Sequence, residues 1–262
     1  MAHMSLCLCA TTGVPLGIGH RETYTRTGAT WQKRKAARTT RRDKESRESE
    51  RWLRGVSATR TPKLSARAIH VMDAEADFFE LMRHMADEST RFIIRAGQID
   101  RLVYDEGDAR HLREVVADLV PIVHRDVALS ERKQNFKTSG ANGRRKHPHR
   151  SARVARVSIA STRITLGRTR YTKSGGADFE INVVRVWEQS PPAGEPAVEW
   201  VLLTSEPVAQ KTDLERVVDL YRKRWTIEDY FKALKTGCSL ERRQVESYDA
   251  LCKVLAILAP IA

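Results

Sequence analysis

Apolar and polar positions along the chain change their period several times, and each change predicts an element. Near the start, "SLCLCATTGVPLGI" (5–18) alternates small and apolar residues on both sides of a Thr-Gly signal, which predicts two short strands joined as a hairpin. The stretch "WQKRKAARTTRRDKESRESERWLRG" (31–55) is dense in charge and poor in core residues until Trp52 and Leu53. It reads as an exposed loop entering a helix that Gly55 ends. An apolar run closing on an acid, "AIHVMD" (68–73), precedes the helical pattern "AEADFFELMRHMAD" (74–87) and a second strand-like run, "RFIIRAG" (91–97). Strand, helix, strand argues for an α/β layer, in which functional side chains gather at the carboxyl ends of strands.

From about residue 98 to 195 the texture changes to short alternating runs, "RVARVSIA", "RITLG" and "FEINVVRVWE", separated by Gly, Pro and Ser clusters. This predicts an antiparallel β region, with "SERKQNFKTSGANGRRKHPHRSAR" (130–153) as a long basic loop. "EWVLLTS" (199–205) returns to buried-strand character, and a helix then runs from about Leu214 into "YRKRWTIEDYFKALKTGC" (221–238). No internal repeat recurs at a fixed period.

Composition narrows the partners. The 262 residues are 41% apolar, enough for one large domain or two modest ones. Lysine and arginine total 46 against 33 acidic residues, and the net charge of +13 sets up a field that attracts polyanions. Nucleic acid is the first partner to test; a soluble basic protein with solvated lysines has the same composition. Cys7, Cys9, Cys238 and Cys252 form no CxxC pair and lie at opposite ends of the chain, which indicates neither a disulfide framework nor a zinc site and suits reduced, intracellular thiols. No stretch approaches the ~20 apolar residues that span a bilayer, so no membrane partner is expected. The run "VLAILAPIA" carries a helical pattern that stops at Ala262 with its apolar face unfinished, and the reading frame is expected to be cut short there.

The segment 221–238 concentrates candidate chemistry. On an α-helix each residue advances about 100°, so Tyr221, Arg224, Glu228 and Lys235 fall within roughly 60° of arc and span about 21 Å. Leu220, Ile227, Phe231 and Leu234 form an adjacent stripe that would dock the helix and turn the polar stripe toward a cleft. A carboxylate between two cations, with a tyrosine beside it, suits a metal ion flanked by groups that grip phosphates. An amphipathic helix with ordinary surface charges has the same pattern.

Tyr, two residues, Arg, three residues, Glu, six residues, Lys is the signature of IS4-type insertion-sequence transposases, and this sequence resembles that family at every member of it. "VMDAEADFFEL", "EWVLLTSEPV", "RWTIEDYFKALKTGC" and "ERRQVES" are also similar to family segments, and the resemblance covers most of the chain from about Ser5 onward. It implies an α/β, ribonuclease-H-like core with a β-rich insertion: a first part of the core in 1–97, the insertion in 98–195 and a second part of the core in 196–262. It also implies a DNA transposase of the aspartate, aspartate, glutamate class. Asp73 and Glu228 would be catalytic and would bind Mg²⁺ or Mn²⁺. Tyr221, Arg224 and Lys235 would contact phosphates of double-stranded DNA at the transposon end, and Trp200 would help hold a base flipped from the duplex. Work as a homodimer in a bacterial cytoplasm, at the nucleoid, is implied as well.

Plain structural roles stand beside these. Asp73 is also placed to cap the following helix, and Glu75 and Asp77 suit its amino-terminal dipole. Trp200, before a buried strand, also suits a core or interface position. His147 and His149 have ligand-like spacing but sit in a basic loop that repels a metal ion, so they read as solvated. A basic RNA-binding protein is a weaker option, without an RRM, KH or zinc-knuckle pattern.

One expected part has no counterpart. The family's first catalytic aspartate ends a strand upstream of the segment that matches 5–18, and "ATTG" (10–13) contains no acid. The expectation is therefore a truncated copy lacking the first core strand, with impaired catalysis. The alternative is a non-catalytic DNA-binding remnant that occupies transposon ends or pairs with an intact transposase.

Overall fold

The computed structural model describes residues 2–24, 50–60, 67–131, 135–136, 146–147, 149–168 and 177–261. Residues 31–49 of the charge-rich stretch, much of the basic loop 130–153 and the His147 side chain lie outside the described residues. The chain divides into two compact units, one built from residues 1–71 and 220–262 and the other from 72–219.

The terminal unit begins with the expected hairpin. Strands β1 (Ala2–Leu8) and β2 (Pro15–Thr23) pair antiparallel, with irregularities in register after Ser5 and after Cys7. Cys9 N donates to Val14 O at 2.9 Å and Gly13 N to Cys9 O at 2.8 Å, and Gly13 sits at φ +78°, where only glycine is unstrained. Helix α1 (Glu50–Ala58) packs on the hairpin and runs through Gly55 instead of ending at it. The reason is steric: a Cβ on Gly55 would lie 3.3 Å from His3 Cε1 and 3.5 Å from His20 Cδ2, so the glycine permits close approach rather than a stop. Arg54 donates to both oxygens of Glu22 at 3.0 and 2.8 Å, and His3 meets Trp52 edge to face at 4.9 Å.

Met4 on β1 shares a core with Tyr230, Leu234 and Leu255 from the far end of the chain. Helix α6 (Tyr248–Leu258), capped by Ser247 accepting from Ala250 N, contributes Leu255 and flanks the cluster with Leu251 and Leu258. Tyr230 Oη donates to Ala259 O at 3.0 Å, so this tyrosine is buried without leaving its hydroxyl unpaired.

Strand β3 (Ile69–Met72) leads into the central unit, followed by a 3₁₀ turn (Ala74–Ala76), helix α2 (Phe79–Asp87) and β4 (Arg91–Arg95), as the apolar pattern predicts. The helical pattern of 74–87 is broken at Asp77 and Phe78. Beyond these come β5 (Leu102–Asp105), β6 (Asp108–His111), a short helix α3 (Leu112–Ala117), β7 (Val123–Leu129), the two-residue strands β8 (Asn135–Phe136) and β9 (Lys146–His147), β10 (Arg153–Leu166), β11 (Phe179–Glu188) and β12 (Glu199–Thr204). Within this unit the sheet runs β4-β12-β11-β10-β5-β6, and β7 also pairs with β10. Fourteen-residue β10 serves two neighbours on one edge, β7 through Arg153–Ile159 and β5 at Thr165.

Consecutive buried residues in β4 (Phe92, Ile93, Ile94) and β12 (Val201–Thr204) mark strands covered on both faces. Leu81, Met82 and Met85 of α2 are fully buried, and Phe79 of this helix meets Phe179 at 5.6 Å. The fold is mixed α/β, in keeping with a ribonuclease-H-like domain, and the strands of 98–195 continue the same sheet as β4 and β12.

Candidate active site

Asp73 follows a half-buried strand whose last residue, Met72, is buried. Met72 is 6% exposed, while Asp73, with extended backbone (φ −86°, ψ −171°), turns the chain into the 3₁₀ turn. Its Oδ1 accepts from Glu75 N at 2.9 Å, so the capping role is real. The cap occupies one oxygen; among the described residues Oδ2 has no hydrogen-bond partner. Capping and a second use of the carboxylate are thus compatible.

Asp77 does something that sequence reasoning missed. Its side chain is buried and ion-paired with Arg101 Nη2, and its Oδ2 accepts from Gly97 N at 2.7 Å and Gln98 N at 2.8 Å. It closes the 3₁₀ turn as its C-cap and ties that turn to the loop after β4, instead of serving a helix dipole. Its partners are twenty and more residues away, so local sequence carries no sign of them.

The signature residues lie on one unbroken helical run of changing pitch. Helix α4 (Lys211–Arg222) passes into a 3₁₀ turn (Lys223–Trp225), helix α5 (Thr226–Lys232) and a π-turn (Ala233–Gly237), with right-handed helical dihedrals at every junction. Cys238 N bonds to Ala233 O at 2.9 Å, the i to i+5 spacing of a π-turn. Tighter and wider turns alter the phase that an ideal helix gives, and the four residues differ in exposure. Tyr221 is 6% exposed, Arg224 is half-buried, and Glu228 and Lys235 are exposed. Arg224 Nη2 and Glu228 Oε1 form an ion pair at 2.5 Å. Two of the predicted site residues are thereby brought into direct contact. Tyr230, one residue before the predicted Phe231, joins Leu234 in the core, and Phe231 packs at its margin.

A neighbouring cation holds the start of α5 in place. Lys223 Nζ donates to Ala10 O at 2.7 Å and its stem passes over Gly13, which fastens the 3₁₀ turn to the hairpin tip. Trp200 lies within β12, paired in register with Val186, and is half-buried; it belongs to the strand instead of preceding it. His149, exposed, approaches Glu131 at 3.6 Å.

Carboxylate oxygens of Asp73 and Glu228 have the hard-donor chemistry that Mg²⁺ or Mn²⁺ prefers, and the unused Oδ2 of Asp73 suits such an ion. Among the described residues no three His, Cys, Asp or Glu side chains cluster as a ready-made metal site. Asp73 belongs to the central unit and Glu228 to the terminal one.

No helix among the described residues is long and apolar enough to cross a membrane. The family model described as "Transposase DDE domain" matches residues 34–259, a span that holds Asp73, Trp200 and the whole signature run. Family members recombine DNA and generally depend on divalent metal ions. A basic α/β chain whose strand-end aspartate and helical Tyr-Arg-Glu-Lys series fall inside that match belongs to the DDE-domain transposase family.

Proposed function

We propose that this chain is a transposase of the IS4 type that cleaves and joins DNA at transposon ends. The observation that carries the reading is the unbroken helical run from Lys211 to Gly237, which bears the full signature and pairs Arg224 with Glu228. Asp73 and Glu228 hold Mg²⁺ or Mn²⁺ through carboxylate oxygens. Such ions, when bound, stabilise the attacking and leaving oxygens of an in-line phosphoryl displacement. Arg224, oriented by Glu228, offers a planar fork to a phosphate, Lys235 adds a point charge farther along, and Tyr221 supports the start of the series. Trp200 stacks with a base extruded from the duplex.

In this reading 1–97 and 196–262 are the two parts of the core and 98–195 is the insertion. The chain works as a homodimer or alongside a second transposase, in a bacterial cytoplasm. A second reading is a protein that binds transposon ends without cutting them, which the net charge of +13 supports equally.

Glu228→Gln and Asp73→Asn separate the two. Under the first reading nicking of a transposon-end duplex with Mg²⁺ or Mn²⁺ falls about a thousandfold or more, while DNA affinity stays within about threefold. Wild-type chain that binds such duplexes but does not nick them with either ion selects the second reading. Specific nicking that survives both substitutions refutes the assignment of the two carboxylates.

A further inference from the structure

Asp77 is the most deeply buried carboxylate near the candidate site, with a side chain 0% exposed, and its acceptors converge on one target. Oδ1 takes Arg101, whose side chain is 11% exposed; Oδ2 takes the two successive amides of Gly97 and Gln98. The Asp77 carbonyl accepts from Gln98 Nε2 at 2.7 Å and from Arg101 Nη2 at 3.3 Å, and Arg101 Nε returns to Gln98 O at 3.3 Å. Every bond to Asp77 ties the turn after β3 to the loop after β4, and the Arg101–Gln98 bond braces that loop.

The opposite side of the same turn is held by contact. A Cβ on Gly97 would sit 2.8 Å from Ala74 O and 3.1 Å from Ala74 Cβ, so the loop backbone lies directly against the residue that follows Asp73. Between these two fixed points the chain has little freedom: Ala76 N bonds to Asp73 O at 3.2 Å, Asp77 N to Ala74 O at 3.4 Å, and Glu75 N to Asp73 Oδ1. A buried charge satisfied on all sides orders the groups around it, because any displacement would leave a desolvated acceptor or donor unpaired.

We propose that Asp77, with Arg101 and Gly97, is a positioning device for the Asp73 carboxylate. The inference rests on the reading of Asp73 as a metal ligand and adds a supporting residue to it: Asp77 acts through the backbone of the turn and touches no reacting atom. Ligating carboxylates depend on such outer partners for their orientation.

The test uses the 262-residue chain with Asp77→Asn and, independently, Gly97→Ala, which presses on the turn from the other side and leaves the buried pair intact. Amide hydrogen exchange is read at Glu75 and Ala76, whose N–H groups bond to Asp73, at Gly97 and Gln98, and at Val183 and Val184 in β11 as the control. Mn²⁺ affinity is read from water proton relaxation. The proposal expects exchange at Glu75 and Ala76 to rise about tenfold or more in both variants with β11 unchanged, and Mn²⁺ affinity to fall about 10- to 100-fold. Exchange that rises at Gly97 and Gln98 while Glu75 and Ala76 stay protected would overturn it, since the network would then hold only its own loop. Unchanged Mn²⁺ affinity despite a loosened turn overturns it too. If Asp77→Asn does not fold, Gly97→Ala decides on the same criteria. Asp73→Asn serves as a separate arm: wild-type Mn²⁺ affinity in that variant refutes the ligand assignment, and the proposal with it, whatever the exchange data show.

Discussion

Glu206 offers the sharpest stability prediction, because a carboxylate that is 1% exposed carries two arginines at the exit of β12. It accepts from Arg91 Nε at 2.8 Å, from Arg91 Nη2 in a second close contact, and from Arg216 Nη1 at 3.1 Å. Three hydrogen bonds to a charged group, at ~1.5–3 kcal/mol each, would suggest a loss of about 6 kcal/mol in Glu206→Ala. That sum is too large. Arg91 and Arg216 are 34% and 49% exposed at their side chains, so both recover water when the carboxylate goes. The substitution also relieves the desolvation of the acid itself, and the net cost settles at about 3 kcal/mol, the low end for breaking a buried pair. Glu206→Gln keeps the volume and one acceptor and should cost about half as much, ~1.5 kcal/mol. Arg216→Ala, which removes a half-exposed partner, should cost ~1 kcal/mol or less. Urea titration reads these values as shifts in midpoint at constant m. Glu206→Ala within ~0.5 kcal/mol of wild type, inside the range of ordinary surface changes, would refute the reasoning. So would an Arg216→Ala variant as damaging as Glu206→Ala.

Other expectations are independent of that network. Gly55→Val places branched atoms where even a Cβ lies 3.3 Å from His3, and should destabilise the terminal unit by about 1–3 kcal/mol, read by thermal melting. Acid should weaken both units through carboxylates held below their usual value of 4.5, Glu22 chiefly by its bond from Arg54 and Glu188 chiefly by its bond from Arg153. Their contribution is complete above pH 4.5 and lost as pH falls below it, so Arg153→Met should flatten stability against pH in that acid range. His3 is lowered from 6.5 first by burial and then by His20; its neutral form stabilises the fold above pH 6.5, and that contribution drains away as pH drops, a slope that His3→Phe should remove. Affinity for duplex DNA should fall linearly with salt on logarithmic axes, with a shallower slope after Lys235→Ala, and a salt-independent complex would contradict the phosphate contacts.

Much of the architecture is legible in the sequence wherever periodicity and turn chemistry agree. The Thr-Gly turn between two alternating runs gives the β1-β2 hairpin, and "AIHVMD" followed by a helical pattern and "RFIIRAG" gives β3, α2 and β4. The six-residue helix α3 escapes because it is shorter than two turns and lies among strand-like runs. Gly55 reads as a helix stop, since its reason for being glycine is the approach of His3 and His20 from the hairpin. The signature helix is legible as a helix, but its pitch is not: the 3₁₀ turn at Lys223 falls between buried Tyr221 and exposed Glu228, and the π-turn at Ala233 between Glu228 and the end of the run. Asp73 is recognisable by its place after an apolar strand. Asp77 four residues on has a role set by Gly97, Gln98 and Arg101, which only the folded chain brings near.

The terminal unit's composite origin has a consequence for synthesis. Met4 and Thr23 find their partners at Tyr230, Leu234, Tyr248 and Leu255, more than 220 positions later in the chain. At ~5–20 residues per second a ribosome keeps the first hairpin waiting on the order of ten to fifty seconds for the side chains that cover it. Residues 72–219 are all made during that interval and carry their own sheet. The hairpin strands, translated before the central sheet, thus wait longer than that sheet for the Tyr230, Leu234 and Leu255 side chains that complete their core, and a protease added to stalled nascent chains should cut at β1-β2 long after the central sheet has become resistant.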